Sequence, residues 1–303
     1  NVGKVYRLRV FEVPQASRGA KGRPIINLLP LDANETVTAI LPLTEFPENH
    51  YVFMATASGT VKRVELAQFS NVRSNGLRAI ELNEEDTLIG VAITDGNQQI
   101  MLFSNEGKAI RFAETDVRAM GRTAKGVRGM RVDEGDDVVV GMIVVSDAEN
   151  ETVMVVSEEG YGKRSQVEDY RKTNRGGKGV KTLSITEKTG KLVAIKNVTD
   201  ENDLMIINKS GIVIRLAVSD VRIMGRATQG VRLINLAKKN DIIASVCKVM
   251  SSELEATVEE ESCQQMRDND KQFNETMSAP EEIENEESSS LSVNVDEIID
   301  FEK

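Results

Sequence analysis

The sequence is poor in the residues that build metal sites and most catalytic centres. Its 303 residues include two cysteines, Cys247 and Cys263, a single histidine, His50, and no tryptophan. These numbers exclude a zinc site with four cysteine or histidine ligands and catalytic machinery built on several histidines. Two isolated cysteines are compatible with a reducing cytoplasm.

Long apolar runs and nucleotide-binding fingerprints are missing as well. No stretch approaches the roughly 18 apolar residues of a membrane span, and no signal peptide opens the chain. Neither GxGxxG nor GxxxxGK[ST] occurs, and the carboxylates cluster in turns and towards the C terminus, as solvated acids do. We therefore expect a non-catalytic chain with no catalytic residue, metal or cofactor of its own.

Charge is distributed unevenly along the chain. Residues 251–303 hold 17 acidic and 3 basic residues, whereas residues 1–250 hold 31 acidic and 35 basic residues. A mildly basic body joined to a strongly acidic end suggests a polyanionic partner such as nucleic acid, for which the acidic end competes.

An internal repeat is the strongest signal in the sequence. A short apolar run, a turn and a glycine recur at 52–59, 100–107, 153–160 and 204–211, and Gly3 is a fifth such glycine without its preceding run. The glycines Gly3, Gly59, Gly107, Gly160 and Gly211 are 56, 48, 53 and 51 residues apart. Such a period is typical of a four-stranded propeller blade.

The content of each repeat predicts four strands and almost no helix. The run Val153–Val156 is apolar at consecutive positions, which indicates a strand covered on both faces. An outer strand follows the glycine turn, then come a long basic loop, a strand such as 127–132, an acidic turn at 133–137 and a last apolar strand at 138–145. We predict an all-β, propeller-like domain over residues 1–250 with five repeats.

The long loops carry a second motif, R-x-x-[K/Q]-G, at 18–22, 122–126, 175–179 and 226–230. The second repeat has a degenerate version at 73–78. Glycines let the backbone approach a phosphate, and arginine and lysine bind its oxygens. With no base-reading helix, the predicted contact is with the DNA backbone. The candidate DNA-binding residues are Arg18, Lys21, Arg23, Arg73, Arg78, Arg122, Lys125, Arg128, Arg175, Lys178, Lys181, Arg226 and Arg232.

Two alternatives stay open for these charges. The loop residues could be ordinary solvated charges, with the glycines serving turns. A further arginine stands four residues after every turn glycine and could bind phosphate or pair with acids of the fold. These five residues are Arg7, Arg63, Arg111, Arg164 and Arg215.

The repeats and loops resemble a known family. The RGGKG loop and the segments QASRGAKGRPIINLLPL (15–31) and VRAMGR…GVRG (117–129) are similar to the C-terminal domain of DNA gyrase A subunits, over residues 1–250. The related domain of topoisomerase IV A subunits is the alternative within the family. A protein-interaction β-propeller is the alternative outside it.

The resemblance implies a β-pinwheel of usually six blades that exchange strands and wrap double-stranded DNA on a basic rim. It also implies a cytoplasmic, chromosome-associated bacterial enzyme that supercoils DNA negatively, a heterotetramer containing the N-terminal domain of the gyrase A protein together with the gyrase B protein. Its ATP and magnesium would be bound outside this chain. The family's box QRRGGKG is only approximated at 15–22 and 174–179, so we expect the first blade and the catalytic region to lie upstream of Asn1.

The acidic segment 251–303 is predicted to be a largely disordered tail. Serine, glutamate, aspartate and asparagine dominate it, leaving little apolar surface to offset the entropy of ordering. The resemblance implies a variable tail that modulates DNA wrapping in some members. An amphipathic patch at 291–301 could instead dock on a partner.

Overall fold

The computed structural model describes residues 1–17, 20–133, 135–236 and 241–250, and Asn1–Ser251 fall within one compact unit. Strands and short 3₁₀ helices make up its regular structure, and none of the described helices is long and apolar enough to cross a membrane. The predicted all-β class is confirmed. The tail assigned to 251–303 lies outside the described residues.

The strands are β1 (Lys4–Val5), β2 (Tyr51–Thr56), β3 (Thr60–Glu65), β4 (Leu77–Arg78), β5 (Leu88–Thr94), β6 (Gln99–Ser104), β7 (Lys108–Ala113), β8 (Val127–Arg128), β9 (Val139–Val145), β10 (Thr152–Ser157), β11 (Tyr161–Gln166), β12 (Val180–Lys181), β13 (Leu192–Val198), β14 (Asn202–Asn208), β15 (Val213–Ala217), β16 (Val231–Arg232) and β17 (Ile243–Met250).

Six 3₁₀ helices connect the strands of the described residues. The helix at Leu66–Phe69, for example, follows β3 directly. The 3₁₀ helices are Val10–Glu12, Ile25–Asn27, Leu66–Phe69, Glu114–Asp116, Val167–Asp169 and Val218–Asp220.

Three antiparallel sheets of four strands form the middle of the domain, in the orders β5-β2-β3-β8, β9-β6-β7-β12 and β13-β10-β11-β16. In each sheet three strands come from one repeat and the outermost strand comes from the next repeat. Val61 of β3, for example, pairs with Val127 of β8. This exchange between neighbours confirms the pinwheel architecture.

The turn glycine is where the exchanged segment docks. Gly59 has φ of +82°, and a Cβ atom there would lie 2.5 Å from the carbonyl oxygen of Met130 in the following repeat. The carbonyl of Gly59 accepts hydrogen bonds from the backbone N–H groups of Gly129, at 2.8 Å, and Met130, at 3.0 Å. Glycine is therefore required for both the backbone conformation and the close approach of the next repeat.

The second strand of each four-stranded sheet is covered on both faces, as the apolar runs predict. Val153 and Val155 of β10 pack in a cluster with Phe103 of the preceding repeat. Met154 points to the other face and packs with Leu204 of the following repeat. Each such side chain contributes about 1.5–3 kcal/mol on burial, so the core is a series of interfaces between blades.

The last strand of the second to fifth repeats lies innermost, and these strands, β5, β9, β13 and β17, contact one another in sequence. Glycine allows the close approach of these inner strands. A Cβ atom on Gly141 of β9 would lie 2.8 Å from the Cδ1 atom of Ile195 on β13. Because the inner strands meet at the centre, the exchanged strands β8, β12 and β16 mark the outer edge of the domain.

The first repeat departs from the predicted four strands. Its sheet consists of β1 and the exchanged strand β4, and Phe11 and Ile40 are exposed. The described residues of this repeat contain no counterpart of the central strands β2, β6, β10 and β14. The last repeat forms a sheet of three strands, β17-β14-β15.

Candidate nucleic-acid interface

The basic loops lie at the outer edge of the blades. We call residues 122–126, 175–179 and 226–230 the rim loops. Each follows a 3₁₀ helix and leads directly into the exchanged strand of its repeat, β8, β12 or β16. The predicted motif thus occupies the same place in three successive blades.

Each rim loop is hydrogen-bonded through its backbone to the segment that follows the preceding exchanged strand. The N–H of Arg131 donates to the carbonyl of Gly177 at 2.9 Å, and the N–H of Ser184 donates to the carbonyl of Thr228 at 3.1 Å. The equivalent bond ahead of the first rim loop, from Glu81 to Ala124, is 3.4 Å long. Each rim loop is therefore attached to the segment that follows the exchanged strand of the preceding repeat.

The exchanged strands present one exposed basic side chain each. The second residue of β4, β8, β12 and β16 is exposed, while the valine or leucine before it is partly buried. We call these four residues the rim cations: Arg78, Arg128, Lys181 and Arg232. The Nη2 atom of Arg232 donates to the Tyr161 hydroxyl at 2.8 Å. Within the described residues, the other three rim cations make no ion pair.

The arginines that open the rim loops are partly used by the fold. Arg175 donates from Nη1 to the carbonyl of Arg128 at 2.9 Å, and Arg226 donates from Nη1 to the carbonyl of Lys181 at 2.8 Å. Both side chains are half-buried, as is that of Arg122. A guanidinium has five N–H donors, so Arg175 and Arg226 keep donors for a ligand while they hold the preceding exchanged strand.

The remaining loop candidates are exposed. Lys125 and Lys178 lie in consecutive rim loops, and Lys178 pairs with Asp133 at 3.1 Å. Arg73 is exposed ahead of β4. In the first repeat, Lys21 and Arg23 are exposed but lead into the 3₁₀ helix Ile25–Asn27 instead of an exchanged strand, and Arg18 lies outside the described residues.

Two buried lysines donate hydrogen bonds to backbone carbonyls of the rim loops at Arg122 and Arg226. Lys163 is fully buried and donates to the carbonyl of Gly225 at 2.8 Å and to that of Arg226. Lys62 is also fully buried and donates to the carbonyl of Ala79 at 2.7 Å and to that of Arg122. Burial lowers the pKa of both ammonium groups to about 8. Sequence reasoning missed both residues, because a lysine in a strand resembles a surface charge.

The arginines four residues after the turn glycine divide into two groups. Arg111 and Arg164 are buried, and each donates from Nη1 to two carbonyls of the next repeat's 3₁₀ turn. Arg63 has 11% side-chain exposure and lies 3.8 Å from the buried carboxylate of Glu114. These contacts favour the alternative in which the arginines bond within the fold. We therefore do not count Arg63, Arg111 and Arg164 among the proposed DNA-binding residues.

The two arginines at the ends of the domain are exposed. Arg7 donates from Nη1 to the carbonyl of Ser70 at 3.1 Å. Arg215 pairs with Asp203 at 2.6 Å and donates to the carbonyl of Met250 at 3.1 Å. Their contacts also lie within the fold, and their phosphate binding stays a prediction.

Three further arginines were overlooked. Arg118, Arg171 and Arg222 stand eleven residues after their turn glycines, are exposed, and follow the 3₁₀ helices that lead to the rim loops. The recurrence of DVRAMGR and DVRIMGR at 116–122 and 220–226 contained the signal for two of them. They extend the row of positive charge beside the rim loops.

Comparisons with known proteins match this architecture. A family model described as "DNA gyrase C-terminal domain, beta-propeller" matches residues 3–44, 50–95, 98–146, 151–199 and 202–247, one segment for each repeat. The A subunit of DNA gyrase from Salmonella typhimurium is 47% identical over 241 residues, covering 80% of this chain and 27% of that protein. Its counterpart from Haemophilus influenzae is 42% identical over 288 residues, covering 87% of this chain and 33% of that protein. The chain therefore spans about a quarter to a third of the length of these curated relatives.

Two solved structures share the fold. The C-terminal domain of DNA topoisomerase IV superposes with a TM-score of 0.77 at 25% identity, covering 86% of this chain and 82% of that one. A DNA gyrase A C-terminal domain superposes with a TM-score of 0.71 at 28% identity, covering 82% of this chain and 80% of that one.

Proposed function

Because the chain belongs to the family of DNA gyrase C-terminal domains with a β-propeller fold, we propose that it binds duplex DNA without sequence preference and wraps the duplex around its outer edge. The observation that carries the proposal is the row of rim cations. Each of four successive exchanged strands ends in an exposed arginine or lysine.

The chemistry of this edge suits phosphate better than bases. Arginine and lysine bind phosphate oxygens, whereas base readout needs an element that enters a groove. The described helices are 3₁₀ turns of three or four residues, too short to fill a major groove. Binding should therefore depend on charge and be independent of sequence.

Wrapping requires contacts spread along a curve. Bending 20–30 base pairs by 40–90° costs on the order of 1–6 kcal/mol. One basic loop could bind DNA without bending it, whereas a cluster in each blade offsets the bending cost at several points. The backbone bonds between each rim loop and the segment after the preceding exchanged strand support this role, because they limit movement of one blade's cluster relative to the next.

For the whole protein we propose the role of a gyrase A protein in the bacterial cytoplasm. The wrapped segment would be passed to the cleavage site on the N-terminal part of the same protein. The gyrase B protein would supply ATP hydrolysis for negative supercoiling. The support is the 42–49% identity to gyrase A subunits over 80–87% of the chain.

A topoisomerase IV protein is the second candidate. The specific observation in its favour is the TM-score of 0.77 with that enzyme's domain, against 0.71 for the gyrase domain. Reconstitution of the complete A protein with its B partner separates the two. A gyrase introduces negative supercoils into relaxed plasmid, whereas topoisomerase IV only relaxes and decatenates.

Binding to a fluorescent duplex at 50–300 mM salt tests the proposal with the 303-residue chain. Each phosphate contact contributes about 0.9 to the slope of log affinity against log salt. Replacing Arg78, Arg128 and Lys181 by alanine should therefore reduce the slope by about 2.7. The matched control replaces three lysines away from the edge, Lys196 and Lys248 on the inner strands β13 and β17 and Lys209 between β14 and β15.

The control variant should keep the wild-type slope, because it loses the same charge without losing a rim cation. Equal slopes for the two triple variants would contradict the assignment of the edge. Salt-insensitive binding of a protein partner, with no retention of duplex, would favour the protein-interaction propeller.

A further inference from the structure

The acidic turn of the third repeat reaches the rim loop of the fourth. Asp133 lies 3.1 Å from the ammonium group of Lys178 through its Oδ1 atom. Its Oδ2 atom accepts a hydrogen bond from Lys108. One carboxylate therefore neutralises the lysine of RGGKG, the rim loop that matches the family's box most closely.

This turn is held in place on both sides. The backbone N–H of Asp133 donates to the buried carboxylate of Asp137 at 2.9 Å. Asn105 donates to the carbonyl of Asp136 at 2.7 Å and accepts from the N–H of Val138 at 3.1 Å. These bonds fix the backbone at Asp133 and at Asp136–Val138, which distinguishes the contact with Lys178 from a chance encounter of two exposed side chains.

Neighbouring repeats have neutral residues at the equivalent position. Asp133 stands five residues after the rim cation of its repeat, and Asn83 and Thr186 stand five residues after theirs. Thr186 accepts a hydrogen bond from Gln229, which replaces lysine in the next rim loop, at 3.4 Å. The equivalent contact between repeats is therefore an ion pair at Asp133 and Lys178 and a hydrogen bond between neutral groups at Thr186 and Gln229.

We propose that Asp133 competes with DNA phosphate for Lys178 and so lowers the affinity of the fourth-repeat rim loop for the duplex. The inference rests on the proposed function. A phosphate that binds Lys178 has to displace the Asp133 carboxylate or share the ammonium group with it, and a displaced carboxylate keeps Lys108 as its partner. Lys125, in the preceding rim loop, makes no ion pair among the described residues, and Asn83, the residue equivalent to Asp133 there, carries no charge.

The carboxylate stays ionised at any pH used for DNA binding. Hydrogen bonds from Lys108 and Lys178 lower the pKa of Asp133 to about 2. The groups that face it are Lys108, Lys178 and Asp137, whose carboxylate lies 4.0 Å from Lys108. A change of buffer between pH 6 and 8 therefore leaves the competition in place.

The decisive variant is Asp133→Asn, which gives this position the residue found at position 83. Its control is Asp136→Asn, which removes the same charge from an exposed side chain of the same turn. Exposed ion pairs contribute modestly, so Asp133→Asn should bind a 40-base-pair duplex at 100 mM salt about two- to fivefold more tightly than the control. In the Asp133→Asn background, Lys178→Gln should abolish the gain.

A second comparison does not depend on the stability of the altered turn. Lys178→Gln alone should weaken binding less than Lys125→Gln, because Asp133 already neutralises Lys178. The inference is overturned if Asp133→Asn binds like Asp136→Asn or more weakly, or if the two lysine variants lose equal affinity. In those cases wild-type duplex binding still stands, whereas a wild-type chain that does not bind duplex at low salt overturns the proposed function as well.

Discussion

Arg164 provides the sharpest test of how the blades are held together. Its guanidinium is buried and donates to the carbonyls of Val218, at 2.9 Å, and Val221, at 3.4 Å, both in the next repeat. It also pairs with Asp200 at 2.7 Å. Arg164→Ala would leave the two carbonyls without their donor at an interface between blades.

The expected loss of stability follows from these contacts. Leaving a buried polar group unsatisfied costs about 1–3 kcal/mol, and water entering the vacated space recovers part of this cost. The two carbonyls together give a loss of about 2–4 kcal/mol. Asp200 adds little, because its side chain is 75% exposed and can be solvated.

Arg215 is the matched control, because it occupies the same position in the last repeat. Its side chain is 41% exposed, and no described repeat follows whose turn it could hold. Arg215→Ala should therefore cost no more than about 1 kcal/mol. Urea unfolding followed by circular dichroism and tyrosine fluorescence measures both variants.

The result that refutes this reasoning is an equal loss of stability in the two variants. A second readout separates structure from DNA contact. At low temperature, where both variants remain folded, Arg164→Ala should keep the wild-type slope of DNA affinity against salt. A reduced slope of DNA affinity against salt would indicate that Arg164 contacts DNA phosphate.

Two further predictions concern pH and the acidic end. The lysine in the unfolded chain keeps a pKa near 10.4, whereas burial holds that of Lys163 at about 8 in the folded state. The unfolded state therefore binds more protons between these values, so the free energy of unfolding should rise from pH 8 to 10, and Lys163→Met should reduce that rise in urea titrations. Deleting residues 251–303 removes a net charge of −14 and should raise DNA affinity most at low salt, whereas equal affinities at every salt concentration would assign those residues another task.

Much of the blade could be predicted from the repeat alone. The period, the turn glycines and the doubly buried apolar runs each follow from local physics, and the sheets at residues 51–250 contain them. The exchange of the outermost strand could be predicted only from the family resemblance. A two-residue strand such as Val127–Arg128 has no periodicity that indicates its partner.

The candidate site was predictable in its loops but not in the role of each charge. A motif gives the type of side chain, whereas burial decides its function. Arg111 and Arg128 are both arginines of the repeat, yet the first is buried under the next blade and the second is exposed at the edge. Lys163 and Asp133 act between repeats, so their contacts depend on a neighbour that the spacing within one repeat does not describe.

Closure of a nicked plasmid in the presence of the 303-residue chain tests the central claim most directly. Wrapping around the rim should change the linking number of the ligated circles in proportion to the bound protein. The triple variant at Arg78, Arg128 and Lys181 should lose this change, and the control triple at Lys196, Lys209 and Lys248 should keep it. Tight binding by the wild-type chain without any change in linking number, or an unchanged shift in the rim variant, would contradict the account.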